Sequence, residues 1–521
     1  MKTTDCTASP LSAVINSIRV SLVSCAFITS LVLLVAWPLL RRSPWGDEVA
    51  LFTNYPISPF HAFFSPLPYY SQAATPLYSV AWSLLGSLSL SPIYIRLLSL
   101  STLLFLSICL ISYSIERRPL SAACVAAASI VTYSPSFIML SEMKHYGLEI
   151  LACLCIVTWV VRKDPNKLLN RLDLLVLLAS LLLGISTLPL GVIALAIFFA
   201  HRFSEVGGIA RIEYVLSAVY VMAASAYYFL VKRIVFFQVS NYPDAYGYEG
   251  IMTSVKQYLS ALVGLLPGGG INAVMLFVFI PLFVVSLRSL ANDSSRRLLL
   301  FAVLTFLVYL GLSALGVYPA KYPRHVIWFS AVLWVAFATA LSFVMDCVRQ
   351  CYRRSLLAYI PLIAVVVVSF APIVRLASIA SSDISFAHNN EAISQLKQMP
   401  ALRLRFWIGG DSVFHYYLRH DPGLSKFFVR DWKPSPSTLV EHINPDAHDR
   451  TKTDMLPPAR DAFSDIQPNE RFLIFASDFD RQGGWAPNRA KGLHDALAER
   501  ICKFATKDFK NVSIYDVTCA I

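Results

Sequence analysis

Apolar runs of roughly 17–25 residues recur along the first 378 residues of this 521-residue chain, and each is long enough to cross about 30 Å of hydrocarbon. Lipid offers the backbone no hydrogen-bond partners, so segments of this kind must satisfy their own amides as helices. The composition agrees: 56% of residues are hydrophobic, 15% are charged, and the mean hydropathy is +0.58. We place spans near 20–40, 93–115, 119–140, 145–161, 172–187, 188–200, 212–231, 272–290, 298–317, 325–346 and 355–378. Pro189 separates the two shortest. The first run leads into Arg41-Arg42 with no small-residue cleavage site, which distinguishes it from a cleaved signal peptide.

Lys and Arg accumulate in short cytoplasmic loops. Here Glu116-Arg117-Arg118, Arg162-Lys163 with Lys167 and Arg171, His201-Arg202 with Arg211, Arg288 with Arg296-Arg297, and Arg349 with Arg353-Arg354 fall in alternate loops. That alternation predicts a cytoplasmic N-terminus and an outward tail. The net charge of +12 is mostly this topological bias; the tail is nearly balanced and has no nucleic-acid footprint. Cys109, Cys124, Cys153 and Cys155 lie in apolar spans as small hydrophobes. Cys347 and Cys351 face the reducing side without a His at zinc spacing. Cys502 and Cys519 are the pair in the outward tail, where a disulfide can persist. We expect them to bond as a helix ending near 501 packs on a strand over 512–515.

The outward segments are unequal. Residues 41–92 form a long first loop rich in Pro, Ser and aromatics, and its stretch from Thr75 through Trp82 reads as a helix at the interface, with Tyr and Trp at headgroup depth. A second loop, 232–271, carries Lys232-Arg233, a Tyr-rich run and Gly268-Gly269-Gly270, whose spacing is that of a turn rather than a phosphate cradle. A third is short, from Tyr318 to His325. Beyond 379, strand-like runs at 405–408, 471–475 and 512–515 alternate with helix-like stretches at 391–399 and 489–501, while 431–468 is rich in Pro, Asp and Ser and reads as an irregular loop. No internal repeat is evident. The chain is therefore expected to be a polytopic α-helical membrane protein with about 11 transmembrane helices (residues 1–378) and a C-terminal soluble α/β domain (379–521) on the outer face.

Four outward features carry ionisable groups to one lip of the membrane. They are Asp47-Glu48 within Trp45-Gly46-Asp47-Glu48, Arg96 just inside the second span, Lys144-His145-Tyr146 at the start of the fourth, and Lys321-Tyr322-Pro323-Arg324-His325. Carboxylates beside a low-dielectric boundary are disfavoured unless cations or hydrogen bonds hold them. Cations on the outer side also run against the inside bias. Singly, each has a plain account: a solvated loop end for the acidic pair, snorkelling for Arg96, a solvated turn for Lys144-His145, a lipid-headgroup contact for Arg324. Together they set an acid against several cations at one interface, as departure of a phosphate leaving group requires.

These residues resemble the GT-C glycosyltransferases, within them the protein-mannosyltransferase and aminoarabinose-transferase type, over most of residues 20–345. Asp47-Glu48 matches the family's acidic pair in the first outward loop. Thr75-Pro76-Leu77-Tyr78 is similar to its Pro-Pro-Leu segment, with Thr for the first Pro. Arg96-Leu97-Leu98-Ser99 resembles Arg-Leu-Pro-Ser, Met143-Lys144-His145-Tyr146 resembles Ala-Arg-x-Tyr with Lys for Arg, and Arg324-His325 resembles a late Arg-Tyr pair. The tail has no such match.

The resemblance implies a GT-C-like enzyme that moves a sugar from a polyprenyl-phosphate carrier to a glycan, lipid or protein acceptor outside the cytoplasm, in contact with membrane lipids. In a single inverting displacement a carboxylate takes the proton of the attacking hydroxyl. Asp47 is the candidate base, with Glu48 orienting the acceptor or holding a cation. Lys144, Arg324, Arg96 and Lys321 are candidate phosphate ligands, Arg binding through two parallel hydrogen bonds. His145, Tyr146, Tyr322 and His325 are candidate substrate contacts. No cofactor is required; the acidic pair leaves room for a divalent metal without demanding one.

Two other readings stay open. A polymerase or ligase using an undecaprenyl-diphosphate donor would share the basic groups but would centre on a large outer loop. A transporter of lipid-linked sugars would carry mid-membrane charges and broken helices in matching halves; the spans read as nearly free of mid-span charge. Compact loops point to a bacterial inner membrane, although Asn511-Val512-Ser513 would be a glycosylation sequon in a eukaryote.

Overall fold

The computed structural model describes residues 10–41, 48, 58–64, 74–86, 92–115, 117–241, 247–268, 270–318, 320–352, 359–364, 389–408, 414, 417–418, 421–427, 467–477, 493–495, 497–509 and 512–520. They form two compact units. One gathers 1–37, 96–231 and 248–376, and the other gathers 38–95, 232–247 and 377–521. The second unit thus joins the first outward loop to the C-terminal tail, segments that the sequence assigns to different domains.

Among the described residues seven helices are long and apolar enough to cross a membrane: Ile18–Leu40, Ile93–Ser114, Leu188–Val206, Arg211–Ile234, Ile271–Ser289, Asp293–Ala314 and Phe329–Cys351. The helices Tyr146–Arg162 and Arg171–Leu183, with 17 and 13 residues, are shorter; the first is almost wholly buried and serves as a core helix of its unit. Apart from a helical piece at 359–364, the expected last span lies outside the described residues.

The single span expected over 119–140 is instead two helices, Pro119–Thr132 and Ser134–Leu140, set at 96°. Pro135 explains the break: it disfavours a helical residue before it and has no N–H to continue the ladder. Tyr133 stands at the corner, fully buried, and its hydroxyl donates to the Phe277 carbonyl at 2.6 Å. That carbonyl would ordinarily accept from residue 281, which is a proline. The helix there loosens into a π segment, Met275–Phe279, and Tyr133 supplies the missing donor. Tyr133→Phe should therefore remove that donor and lower stability by about 0.5–1.5 kcal/mol, read as a depressed melting midpoint in detergent.

The second outward segment also differs from its reading as a loop. The helix Arg211–Asn241 runs past 231, and a further helix covers Ile251–Val263. The run from Val231 to Asn241 has no Gly or Pro to stop it, and Lys232-Arg233 can reach an interface without breaking the helix.

The basic loops are tied to one another. Arg117 donates to Asp346 at 2.6 Å, Arg202 pairs with the buried Glu213 at 2.8 Å, and Arg297 donates to the Val161 carbonyl at 3.0 Å. Lys163 meets Asp173 at 2.5 Å, and Asn170 and Asp173 form a reciprocal cap on the helix that follows. These bonds gather the alternate basic loops at one end of their unit.

In the other unit the helix Pro76–Gly86 begins at Thr75, whose side chain accepts from the Tyr78 amide at 3.3 Å, with Pro76 at the first helical position. Tyr78 and Trp82 are 4% and 3% exposed with ring centroids 5.6 Å apart. Both rings are therefore packed against protein. One turn apart, they present one apolar face, and that face is packed.

The tail carries a four-stranded mixed sheet: β1 Arg403–Ile408, β2 Arg471–Ser477, β3 Cys502–Phe509 and β4 Val512–Cys519, in the order β1-β2-β4-β3. β1 runs parallel to β2; the other pairs are antiparallel. β2 is central, and its Phe472 through Ala476 are fully buried on both faces, hence an unbroken apolar run. Arg471 grips Asp516 through two bonds of 2.9 and 2.7 Å. β3, absent from the sequence reading, is an edge strand exposed along most of its length; its lysines suit an edge but leave no apolar alternation to read.

Cys502 and Cys519 are bonded to each other. They are directly opposite in the β3–β4 ladder, Cα atoms 3.9 Å apart. The bridge therefore ties two strands of a hairpin rather than a helix to a strand, because the helical stretch ends before Cys502. A loop of about this length should contribute roughly 3 kcal/mol in the chain-entropy model. Reduction should make the tail's strands accessible to protease at lower temperature, and an unchanged digestion profile would contradict this.

Candidate functional site

Asp47 lies outside the described residues. Its neighbour Glu48 is helical and 0% exposed, within the unit that contains the tail. A carboxylate removed from water in this way needs cations or donors around it. Among the described residues no three His, Cys, Asp or Glu side chains gather as a cation-ligand set.

The remaining candidates belong to the other unit, where three helix junctions carry them. At the first, the helix Pro92–Ser114 starts at a proline, and Arg96 follows one turn later. Arg96 is 1% exposed and among the largest fully buried side chains, so it is packed in protein rather than snorkelling along a lipid-facing surface.

The second junction is the turn 141–145 between Ser134–Leu140 and Tyr146–Arg162. Lys144 is 4% exposed and Tyr146 6%. The His145 and Tyr146 rings lie 5.1 Å apart. The same turn buries Glu142, at 1% exposure, an acidic residue that the sequence reading passed over. Its spacing of two from Lys144, at the end of an apolar run, was the available signal.

The third junction, 315–328, connects Asp293–Ala314 to Phe329–Tyr352 and contains a short 3-10 turn, Pro323–Val326. Arg324 stands 5.0 Å above the Tyr322 ring, and His325 meets the same ring edge-on at 5.4 Å. Arg324 is thus oriented by a cation–π contact. Lys321 is ion-paired to Glu249, and its ammonium holds the Glu249 carboxyl below the usual carboxylate range. Gly264 allows the close approach that seats this turn, since a Cβ there would lie 2.4 Å from Pro323 Cγ. Gly316 turns the chain at φ +70°, with the Tyr248 ring against it.

A buried carboxylate also lies one helical turn from Lys144-His145. Glu149, 2% exposed, accepts from the Ile185 amide at 2.7 Å and from the Ser186 amide at 3.3 and 3.1 Å through its two oxygens. The sequence reading absorbed it into an apolar span.

Neither a protein-family model nor a curated protein sequence matches the chain. Solved structures do. ArnT from Cupriavidus metallidurans bound to undecaprenyl phosphate aligns with 98% of this chain and 98% of its own, with a TM-score of 0.56 and 14% identity. The same protein in the apo state aligns over 94% and 97% at the same score and identity. Over nearly its whole length, from the membrane helices to the tail's small sheet, this chain has the ArnT fold.

Proposed function

We propose that the chain is an integral membrane glycosyltransferase that takes a sugar from a polyprenyl-phosphate carrier and transfers it to an acceptor hydroxyl or amine on the extracytoplasmic face. The observation that carries this reading is the full-length likeness to ArnT, a protein crystallised with undecaprenyl phosphate. In this chain Arg96 and Lys144 are buried and Arg324 lies against the Tyr322 ring, and these are the cations that would meet the carrier's phosphate.

The chemistry follows from charge. In a single inverting displacement the acceptor's oxygen or nitrogen attacks the anomeric carbon as its proton passes to Asp47. The bond from that carbon to the carrier's phosphate oxygen breaks with its electron pair on the oxygen. The phosphodiester becomes a monoester and gains a negative charge. Lys144 and Arg324 neutralise it, and their positive charge is worth more as that charge develops than in the ground state. Glu48 would orient the acceptor or hold a cation. If a divalent metal binds, Asp47 and Glu48 are the residues to hold it.

The transporter reading draws on two observations, a helix broken by 96° and a buried Glu149. Both are locally satisfied: Tyr133 sits at the break with its hydroxyl bonded, and Glu149 is engaged by two backbone amides. Neither faces a matching half, since the chain has no internal repeat.

A strain lacking the protein tests the proposal in the cell. It should accumulate a polyprenyl-phosphate sugar and lose that sugar from a surface glycan, lipid or protein, both read by mass spectrometry. Unchanged pools of both would overturn it.

A further inference from the structure

Glu149 is the least expected charge in the membrane unit. A carboxylate this deeply buried needs a reason, and its surroundings supply one. The chain between Arg171–Leu183 and Leu188–Val206 breaks at 184–187, where helix geometry is lost and backbone groups must find partners. Glu149 takes the Ile185 and Ser186 amides, Tyr227 donates to the Leu182 carbonyl at 3.4 Å, and Tyr309 donates to the Ser186 carbonyl. The approach is close. A Cβ on Gly184 would lie 2.8 Å from Glu149 Oε2 and 2.3 Å from Thr187 Oγ1, so only glycine fits there.

The network continues outward from the break. The Tyr309 ring stacks at 4.1 Å on Trp328 and meets Tyr318 edge-on at 5.0 Å. Trp328 Nε1 donates to the Tyr318 hydroxyl at 3.0 Å, and that hydroxyl donates to the His325 carbonyl. On its other side Glu149 begins one turn after His145, whose carbonyl accepts from the Glu149 amide at 3.1 Å. The Glu149 side chain therefore holds the 184–187 break, which reaches the 322–325 turn through Tyr309, Trp328 and Tyr318, while its main chain continues the helix that starts at the 144–146 turn. All of these groups belong to one compact unit.

We infer that Glu149 is a positioning residue: through Ser186, Tyr309, Trp328 and Tyr318 it fixes the Arg324-His325 turn relative to the Lys144-His145 turn, and so sets the spacing of the cations that hold the carrier's phosphate. This rests on the donor-site reading above. Glu149 need not touch the lipid. Its two oxygens, both acceptors, match two N–H groups that face it, and an amide in its place would set an NH₂ against one of them.

The test is affinity of the detergent-solubilised full-length chain for undecaprenyl phosphate, titrated by native mass spectrometry, which counts only folded, lipid-competent molecules. Glu149→Gln and Tyr318→Phe should each weaken binding by about 3–10-fold, as changes along a coupled network do. Because both cut the same link, the double variant should bind about as weakly as the worse single one rather than as the product of the two. Arg118→Ala, an exposed residue at the opposite end of the spans, should bind as the parent does. Unchanged affinity in Glu149→Gln, or a double variant that multiplies the single effects, overturns the inference. If Glu149→Gln does not fold, Tyr318→Phe decides alone, since it removes one hydroxyl and keeps the ring. Arg324→Ala separates the two readings. If it binds normally, the donor site is wrong and the inference falls with it. If it binds weakly while Glu149→Gln and Tyr318→Phe bind normally, only the positioning role falls.

Discussion

Asp47→Asn should lower turnover by about 10²–10⁴ while the carrier still binds, because the amide keeps the shape of the carboxylate and loses its ability to accept a proton. The effect belongs in kcat at saturating donor. A base acts on the proton in flight, so its removal leaves ground-state affinity for the phosphate in place. Glu48→Gln should also be damaging but by less, since Glu48 orients or balances charge rather than taking the proton. Its full burial gives it little freedom to replace Asp47. Single-turnover measurements at saturating carrier are the check. Near-parental turnover in Asp47→Asn would exclude it as the base and direct attention to Glu142, the buried acid next to Lys144.

The second large effect concerns the departing phosphate. Arg324→Ala and Lys144→Ala should each cost about 2–5 kcal/mol in kcat/KM, the range for truncating one partner of a buried, hydrogen-bonded charge pair. An exposed charge is worth roughly 0–1 kcal/mol, so Arg118→Ala should stay near parental activity. Arg117 is not a suitable control, because it ties its loop to Asp346. Arg324→Lys should recover only part of the loss, for an ammonium cannot bind two phosphate oxygens through a planar fork. Equal, small losses at Arg324, Lys144 and Arg118 would return these cations to the role of lipid anchors.

The membrane architecture was legible because its signal is the solvent itself. Twenty apolar residues in a row admit few other folds, and the helix bounds agree with the runs to within a few residues at 93–114 and 293–314. What the sequence concealed were local breaks whose partners are remote. Nothing near residue 133 announces that its hydroxyl will serve Phe277, 144 positions away, and so a bent pair of helices reads as one span. The same holds for Glu149. Inside an apolar run it counts as a single tolerated charge, and only the fold shows two amides from a distant break converging on it. Residues 232–241 read as a loop because two cations interrupt the hydropathy, although cations do not break helices. β3 was illegible because an exposed edge strand has no buried face to mark its period.

The position of each candidate cation at a helix junction was legible in the sequence, since each stands at the end of an apolar run. Their packing was not. Burial of Arg96 and Lys144, and the Glu249 partner of Lys321, depend on neighbours far away in sequence.

Transfer in a single compartment tests most directly whether this chain moves a sugar. Purified protein in detergent would be incubated with a panel of labelled polyprenyl-phosphate sugars and an extract of candidate acceptors. The account requires labelled acceptor and free polyprenyl phosphate to appear in equal amounts, with the anomeric configuration inverted and both products abolished in Asp47→Asn. Movement of the lipid-linked sugar across sealed vesicles, with no transfer in detergent under any donor, would contradict it.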